Sequence, residues 1–152
     1  MSRVQVALNV ANLDQAVAFY TKLFGTGPAK LRPGYANFAV AEPPLKLVLI
    51  EGHGTPGTMN HLGVEVESSD EVRAAHQRLG QSGLATAPED GVACCYAVQD
   101  KVWVDDPDGS PWEVYTILEH VEMEAGQLRT VEPGDAGACC SVTPGAEVSR
   151  RC

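Results

Sequence analysis

The chain has 152 residues, enough for one compact domain with a sizeable core or for two small modules that share one. Its 20 acidic residues against 11 lysines and arginines give a net charge of -9, and the scattered arginines form no basic stripe, which argues against nucleic acid or an anionic membrane surface as partner. The five cysteines (Cys94, Cys95, Cys139, Cys140 and Cys152) are odd in number, with no CxxC and no zinc-ribbon spacing, which argues against a secreted disulfide framework.

The chain opens with MSRVQVALNV, which lacks the long apolar stretch of a secretory signal, and no later stretch approaches a membrane span. A cytoplasmic protein is expected. Within RVQVALNV, residues 3 to 10, Val4, Val6, Leu8 and Val10 fall on one face and Gln5, Ala7 and Asn9 on the other, the period of a half-buried strand with Gln5 off the main apolar face. From Leu13 to Gly25, Ala16, Val17, Tyr20, Leu23 and Phe24 recur at helical spacing, with Asn12 as N-cap and Gly25 as stop. Short strands follow at about Ala29 to Leu31, Tyr35 to Val40 and Leu45 to Glu51, separated by Pro33-Gly34 and Glu42-Pro43-Pro44. The order is βαβββ.

After the Gly-rich linker GHGTPGTM the pattern begins again. Without a gap, QVALNVANLDQAVAFYTKLFG lies over HLGVEVESSDEVRAAHQRLGQ at an offset of 56 residues (61 minus 5), so Gln5 and His61 are equivalent. In this second copy Leu62, Val64 and Val66 take the apolar strand face, Ser68 and Glu71 read as a capping box, and Val72, Ala75 and Leu79 line the helix. His61 falls on the face opposite the helix. The last strand, WEVYTILE from Trp112, matches LKLVLIE from Leu45 at an offset of 67 (112 minus 45). The second copy is thus 11 residues longer (67 minus 56), and the extra residues fall around APEDGVACCYAVQD. Elaborated loops are where function tends to sit. Beyond about Glu119 the sequence is rich in Gly, Pro and small residues with no apolar period, so residues 121–152 are read as a flexible, Cys-containing tail.

Gln5, His61 and Glu113 are each the polar residue near the start of a strand, at matching positions of this repeat. The duplicated βαβββ plan, the HLGVEV strand and the DPDGSPWEVY ending resemble the vicinal oxygen chelate superfamily of glyoxalase I, extradiol dioxygenases and bleomycin-resistance proteins, over residues 3 to 118. The resemblance implies an α+β fold of two tandem βαβββ modules, about 3–51 and 60–118, forming one domain over residues 1–120 around a metal cleft. It also implies metal ligands at Gln5, His61 and Glu113. An imidazole nitrogen, a carboxylate oxygen and an amide oxygen make a fairly hard set that suits Fe(II), Mn(II), Ni(II) or Co(II), with positions left open for oxygen or substrate. Gln5 departs from the 2-His-1-carboxylate pattern of iron dioxygenases, although glutamine is also used at this position in the superfamily. An isolated histidine and carboxylate would ordinarily read as a core histidine and a strand-end acid; three equivalent repeat positions favour a metal site.

Cys94 and Cys95 are adjacent, with Cα atoms about 3.8 Å apart, below the ~4.4 Å usual for a relaxed disulfide. They are suited instead to offering two soft thiolates to one soft centre such as trivalent arsenic. Glu89, Asp90 and Asp100 nearby are acidic, so no neighbouring cation activates them. As plain alternating strand residues, one would be buried and one exposed. Together with the pattern above, QVALNVANLDQAVAFYTKLFG, NHLGVEV and GVACCYAVQDKVWVDDPDGSPWEVY resemble the organoarsenical carbon–arsenic lyase family, which also holds cadmium-inducible relatives. That resemblance implies Fe(II)- and O2-dependent cleavage of trivalent methyl- or aryl-arsenicals to arsenite, with Cys94 and Cys95 binding the substrate. Two alternatives stay open: a non-catalytic protein that sequesters a metalloid or antibiotic, and a glyoxalase-type isomerase. A homodimer also stays open. His53, His76 and His120 read as surface groups, and Cys139-Cys140 as a second arsenic trap or only tail.

Overall fold

A computed structural model describes residues 1–94 and 96–120, the Cys94 side chain excepted. The expectations for Cys95, for the Cys94 thiol and for the tail from 121 onward lie outside the described residues. The element order is β1 (Arg3–Val10), α1 (Leu13–Phe24), β2 (Lys30–Arg32), β3 (Tyr35–Val40), β4 (Leu45–Glu51), β5 (Met59–Glu65), α2 (Ser69–Gln81), β6 (Ala87–Cys94), β7 (Ala97–Asp105) and β8 (Pro111–His120). The βαβββ order therefore occurs twice, as expected, with β2 one residue later than the sequence suggested.

Local chemistry starts and stops the helices. Asn12 Oδ1 accepts from Gln15 N at 2.9 Å, the Glu51 carboxylate accepts from Leu13 N, and Gly25 ends α1 at φ 66°, where a Cβ would be strained. Ser68 caps α2, while Glu71 reaches back to Glu67 N, one residue before the position a capping box uses. Ala16, Val17, Tyr20 and Phe24 of α1 pack on Phe38, Leu47 and Leu49; Leu23, expected with them, turns outward with Phe19. Val72 and Ala75 of α2 pack on Val102.

Among the described residues, eight strands form one sheet in the order β2-β3-β4-β1-β5-β8-β7-β6. β1 runs parallel to β4 and β5 parallel to β8, while β1 and β5 pair antiparallel. The two modules thus join within one chain, edge to edge. The elaboration of the second copy is a longer hairpin: β6 and β7 have 8 and 9 residues where β2 and β3 have 3 and 6.

In β1 the alternation holds but the burial is the reverse of the apolar pattern. Gln5, Ala7 and Asn9 are buried, whereas Val4 is 46% exposed and Val6, Leu8 and Val10 are half-buried. The reason is curl. Five strand steps separate β3 from β7, about 24 Å in a flat sheet at ~4.8 Å per strand. Yet the Tyr35 ring on β3 meets the Tyr96 ring beside β7 with centroids 5.6 Å apart, and Lys30 Nζ on β2 donates to Tyr96 O at 3.1 Å. The sheet closes on the face away from the helices, and that face becomes a polar cleft.

Candidate metal centre

Strand register assembles the site. Lys46, Gln5, Gly63, Glu113 and Trp103 stand side by side across β4, β1, β5, β8 and β7, and Arg3, Glu65, Tyr115 and Lys101 form the neighbouring row. His61 lies two residues from Gly63 on the same face of β5, opposite Ala7. Gly63 sits between Gln5 and Glu113 in the ladder. A Cβ there would come within 3.1 Å of Glu113 Cγ and 3.4 Å of Gln5 Cβ, so the missing side chain lets the two flanking side chains lean together.

The three expected ligands do meet. Gln5 Nε2 lies 3.0 Å from His61 Nε2 and donates to Glu113 Oε1 at 2.8 Å, with His61 Nε2 3.4 Å from that oxygen. All three are buried, none more than 4% exposed.

A chain of amide and hydroxyl groups sets the histidine tautomer. Thr58 Oγ1 donates to the backbone oxygen of Thr55, an obligatory acceptor, so it must accept from Asn9 Nδ2. Asn9 Oδ1 then accepts from Asn60 Nδ2, leaving Asn60 Oδ1 to accept from His61 Nδ1 at 2.7 Å. The proton is thereby held on Nδ1, and His61 Nε2 directs its lone pair at Gln5 and Glu113. The loop approaches so closely that a Cβ on Gly54 would fall 2.6 Å from Asn9 Nδ2.

Glu113 is held as a carboxylate. Burial works to raise its pKa, but the buried Lys101 charge beside it holds it well below the ordinary carboxylate range. Its Oε2 meets Lys101 Nζ as an ion pair at 3.1 Å without the alignment of a hydrogen bond. Trp103 screens the site, edge-on to His61 with centroids 5.6 Å apart and under Lys101 Nζ at 5.3 Å. Behind Gln5, Tyr115 OH donates to Gln5 Oε1 at 2.6 Å and also faces Glu65 Oε2 at 2.8 Å. Lys46 Nζ reaches both Tyr115 OH, at 2.9 Å, and Glu65, at 3.0 Å, and Arg3 pairs with the other Glu65 oxygen. Burial and the Glu65 charge push the Tyr115 phenol far above its ordinary pKa, so it keeps its proton.

This donor set fits a divalent metal: an inward imidazole lone pair, an ionised carboxylate whose Oε1 faces that lone pair, and an amide whose oxygen comes inward by a half turn about its last torsion. Among the described residues no three His, Cys, Asp or Glu side chains cluster, so the site depends on the amide as third ligand. Module 1 offers no second centre, because its equivalent of Glu113 is Lys46. His53, His76 and His120 stay outside: His76 bonds Thr86 and His120 meets Lys30. Cys94 ends β6 opposite Ala97 in register, at the hairpin tip that Tyr35 and Lys30 hold against module 1. Gly63, Asn60, Lys101 and Tyr115 were not singled out by sequence; the one signal was the polar face they share with the repeat-matched residues.

A curled sheet of two βαβββ modules with this cleft is the frame of a known class, and the chain belongs to the Glyoxalase/Bleomycin resistance protein/Dioxygenase superfamily, whose model matches residues 3–114. It is 57% identical over 157 aligned positions to the trivalent organoarsenical cleaving enzyme of Thermomonospora curvata, covering 100% of this chain and 99% of that protein. It is also 56% identical to the cadmium-induced protein CadI of Mycobacterium tuberculosis, over 92% of this chain and 93% of that one. Among solved structures, an extradiol ring-cleaving dioxygenase from B. fuscum superposes with TM-score 0.57 at 21% identity, over 79% of this chain and 34% of that one. The methylmalonyl-CoA epimerase of Mycobacterium tuberculosis superposes with TM-score 0.56 at 19% identity, over 74% and 85%. These two likenesses establish the fold.

Proposed function

We propose that this chain cleaves the carbon–arsenic bond of trivalent organoarsenicals and releases arsenite, with Gln5, His61 and Glu113 holding Fe(II) and the thiols of Cys94 and Cys95 holding arsenic. The observation that carries the reading is the full-length 57% identity to a trivalent organoarsenical cleaving enzyme. Supporting it, the three side chains converge within 2.8 to 3.4 Å on the cleft face of adjacent strands.

A bound Fe(II) would supply a redox centre with open positions for dioxygen; the same donors also accept Mn(II), Ni(II) or Co(II). The chain's own residues prepare the rest. Asn60 orients the His61 lone pair, Lys101 keeps Glu113 ionised, and Trp103 keeps water from the ligands. Two adjacent thiolates suit trivalent arsenic, a soft centre. Residues 1–120 form the working domain in this proposal, residues 121–152 a tail outside the reaction, and the cytoplasm the compartment. No helix among the described residues is long and apolar enough to cross a membrane.

The cadmium-induced relative favours a second reading, stoichiometric capture of a soft cation or metalloid without turnover. Arsenite release from methylarsenite separates the two. Under the lead reading it requires Fe(II) and air and stops under nitrogen; binding with no arsenite released would favour capture.

A further inference from the structure

The Tyr115 hydroxyl has one proton and faces two acceptors, Gln5 Oε1 at 2.6 Å and Glu65 Oε2 at 2.8 Å, with Lys46 Nζ as a donor at 2.9 Å. As the Gln5 amide stands, that proton serves Gln5, and the Tyr115–Glu65 contact brings two oxygens together with no hydrogen between them. On the inner side the arrangement is complete, because the amide NH2 donates to both His61 Nε2 and Glu113 Oε1.

A half turn of the amide reverses this balance. Outside, Nε2 would donate to Tyr115, whose hydroxyl would be free to donate to Glu65 while still accepting from Lys46, so every contact becomes a donor–acceptor pair. Inside, the amide oxygen would face His61 Nε2 and Glu113 Oε1, three acceptors with no proton among them. Such a cluster is costly when empty and suited to a cation.

We propose that Tyr115, backed by Glu65 and Lys46, is a positioning residue that stabilises the turned Gln5 amide: when a divalent metal enters, the tyrosine hydroxyl swings from Gln5 Oε1 to Glu65 Oε2 and accepts from Gln5 Nε2, presenting the amide oxygen to the metal. The proposal rests on the reading of Gln5, His61 and Glu113 as the metal site. No bond to hydrogen is broken; the hydroxyl and the amide only rotate. Without metal the same tyrosine gives the closed, NH2-inward form one hydrogen bond while its Glu65 contact stays unpaired, so the metal-bound form gains more from it, and Glu65 is the acceptor that makes the difference.

The test is side-chain NMR of the full, isotopically labelled chain, with zinc(II) as a diamagnetic probe. Without metal the Gln5 NH2 protons should show cross-relaxation with the His61 ring. With zinc they should lose it and gain cross-relaxation with the Tyr115 ring protons. In parallel, Tyr115→Phe should weaken zinc binding at His61 about tenfold or more, since it leaves a buried amide N–H without an acceptor. Should Tyr115→Phe not fold, the parent spectra decide alone. Zinc shifts of the His61 ring while the Gln5 NH2 stays against it, or parent-like affinity in a folded Tyr115→Phe, would overturn the amide turn and leave the metal site standing. No zinc effect on His61 would overturn both.

Discussion

Asn60 Oδ1 lies 2.7 Å from His61 Nδ1, at the end of a hydrogen-bond chain that begins at the backbone oxygen of Thr55. Each donor in that chain fixes the next acceptor, so a loop outside the cleft decides which imidazole nitrogen is free inside it.

Asn60→Ala should therefore weaken metal binding without unfolding the chain, because Asn60 is half-buried at the cleft rim and only the tautomer loses its support. Losing such a partner of a ligating histidine typically costs about 10- to 100-fold in metal affinity. Calorimetric titration with the metal and a parallel urea melt check it; unchanged affinity would show that His61 needs no orienting partner.

Gly63→Ala tests the rung between Gln5 and Glu113. The added methyl meets both side chains at once, so metal affinity should fall and stability drop by about 1–3 kcal/mol, the usual range for overpacking. Metal titration and a urea midpoint measure the two losses. Parent-like values for both would mean that the strands part to accommodate the methyl.

Much of this architecture was legible in the sequence, and the parts that were not have a common cause. The repeat at an offset of 56 residues gave both modules and paired Gln5 with His61, because strand and helix periods are local. The apolar face of β1 does pack on the helix side through Val6, Leu8 and Val10, but the deeper burial of Gln5 and Asn9 on the other face was not legible, since the curl belongs to the sheet as a whole. Leu23 had the helical spacing of a core residue, but α1 offers a stripe narrower than its apolar content. Gly63, Tyr115 and Lys101 acquire their roles from register across β1, β5, β8 and β7, and no local pattern reports register. Glu113 was singled out by its place near a strand start and its ligand role by the family pattern; its own repeat partner is Lys46, the cation that serves Tyr115 and Glu65.

Acid should reveal how Glu113 is held. Beside Lys101 its folded pKa lies below the ordinary 4.5, so its contribution to stability is fully present above pH 4.5 and lost as pH falls through the lowered folded value. Glu65 acts in the same direction: burial opposes it, but Lys46 lowers its pKa further. Urea midpoints of metal-free protein should fall steadily between about pH 5 and 3, and Glu113→Gln should flatten that slope. An unchanged slope in the variant would assign the acid sensitivity elsewhere.

For the thiols, Cys94→Ser or Cys95→Ser should each weaken binding of a trivalent arsenical strongly while leaving metal content and the urea midpoint as in the parent, since each removes one of two soft ligands. Fluorescence titration of Trp103 quenching with phenylarsenite reads the loss. Two single variants that both bind like the parent would remove the cysteine pair from the site.

The most direct measurement is the iron content of the parent and of His61→Ala after anaerobic dialysis against Fe(II), with folding confirmed by circular dichroism. The account predicts one equivalent in the parent and almost none in the variant, because Nε2 of His61 is the only nitrogen lone pair aimed at Gln5 and Glu113 among the described residues. A folded His61→Ala protein that still holds a full equivalent would contradict it.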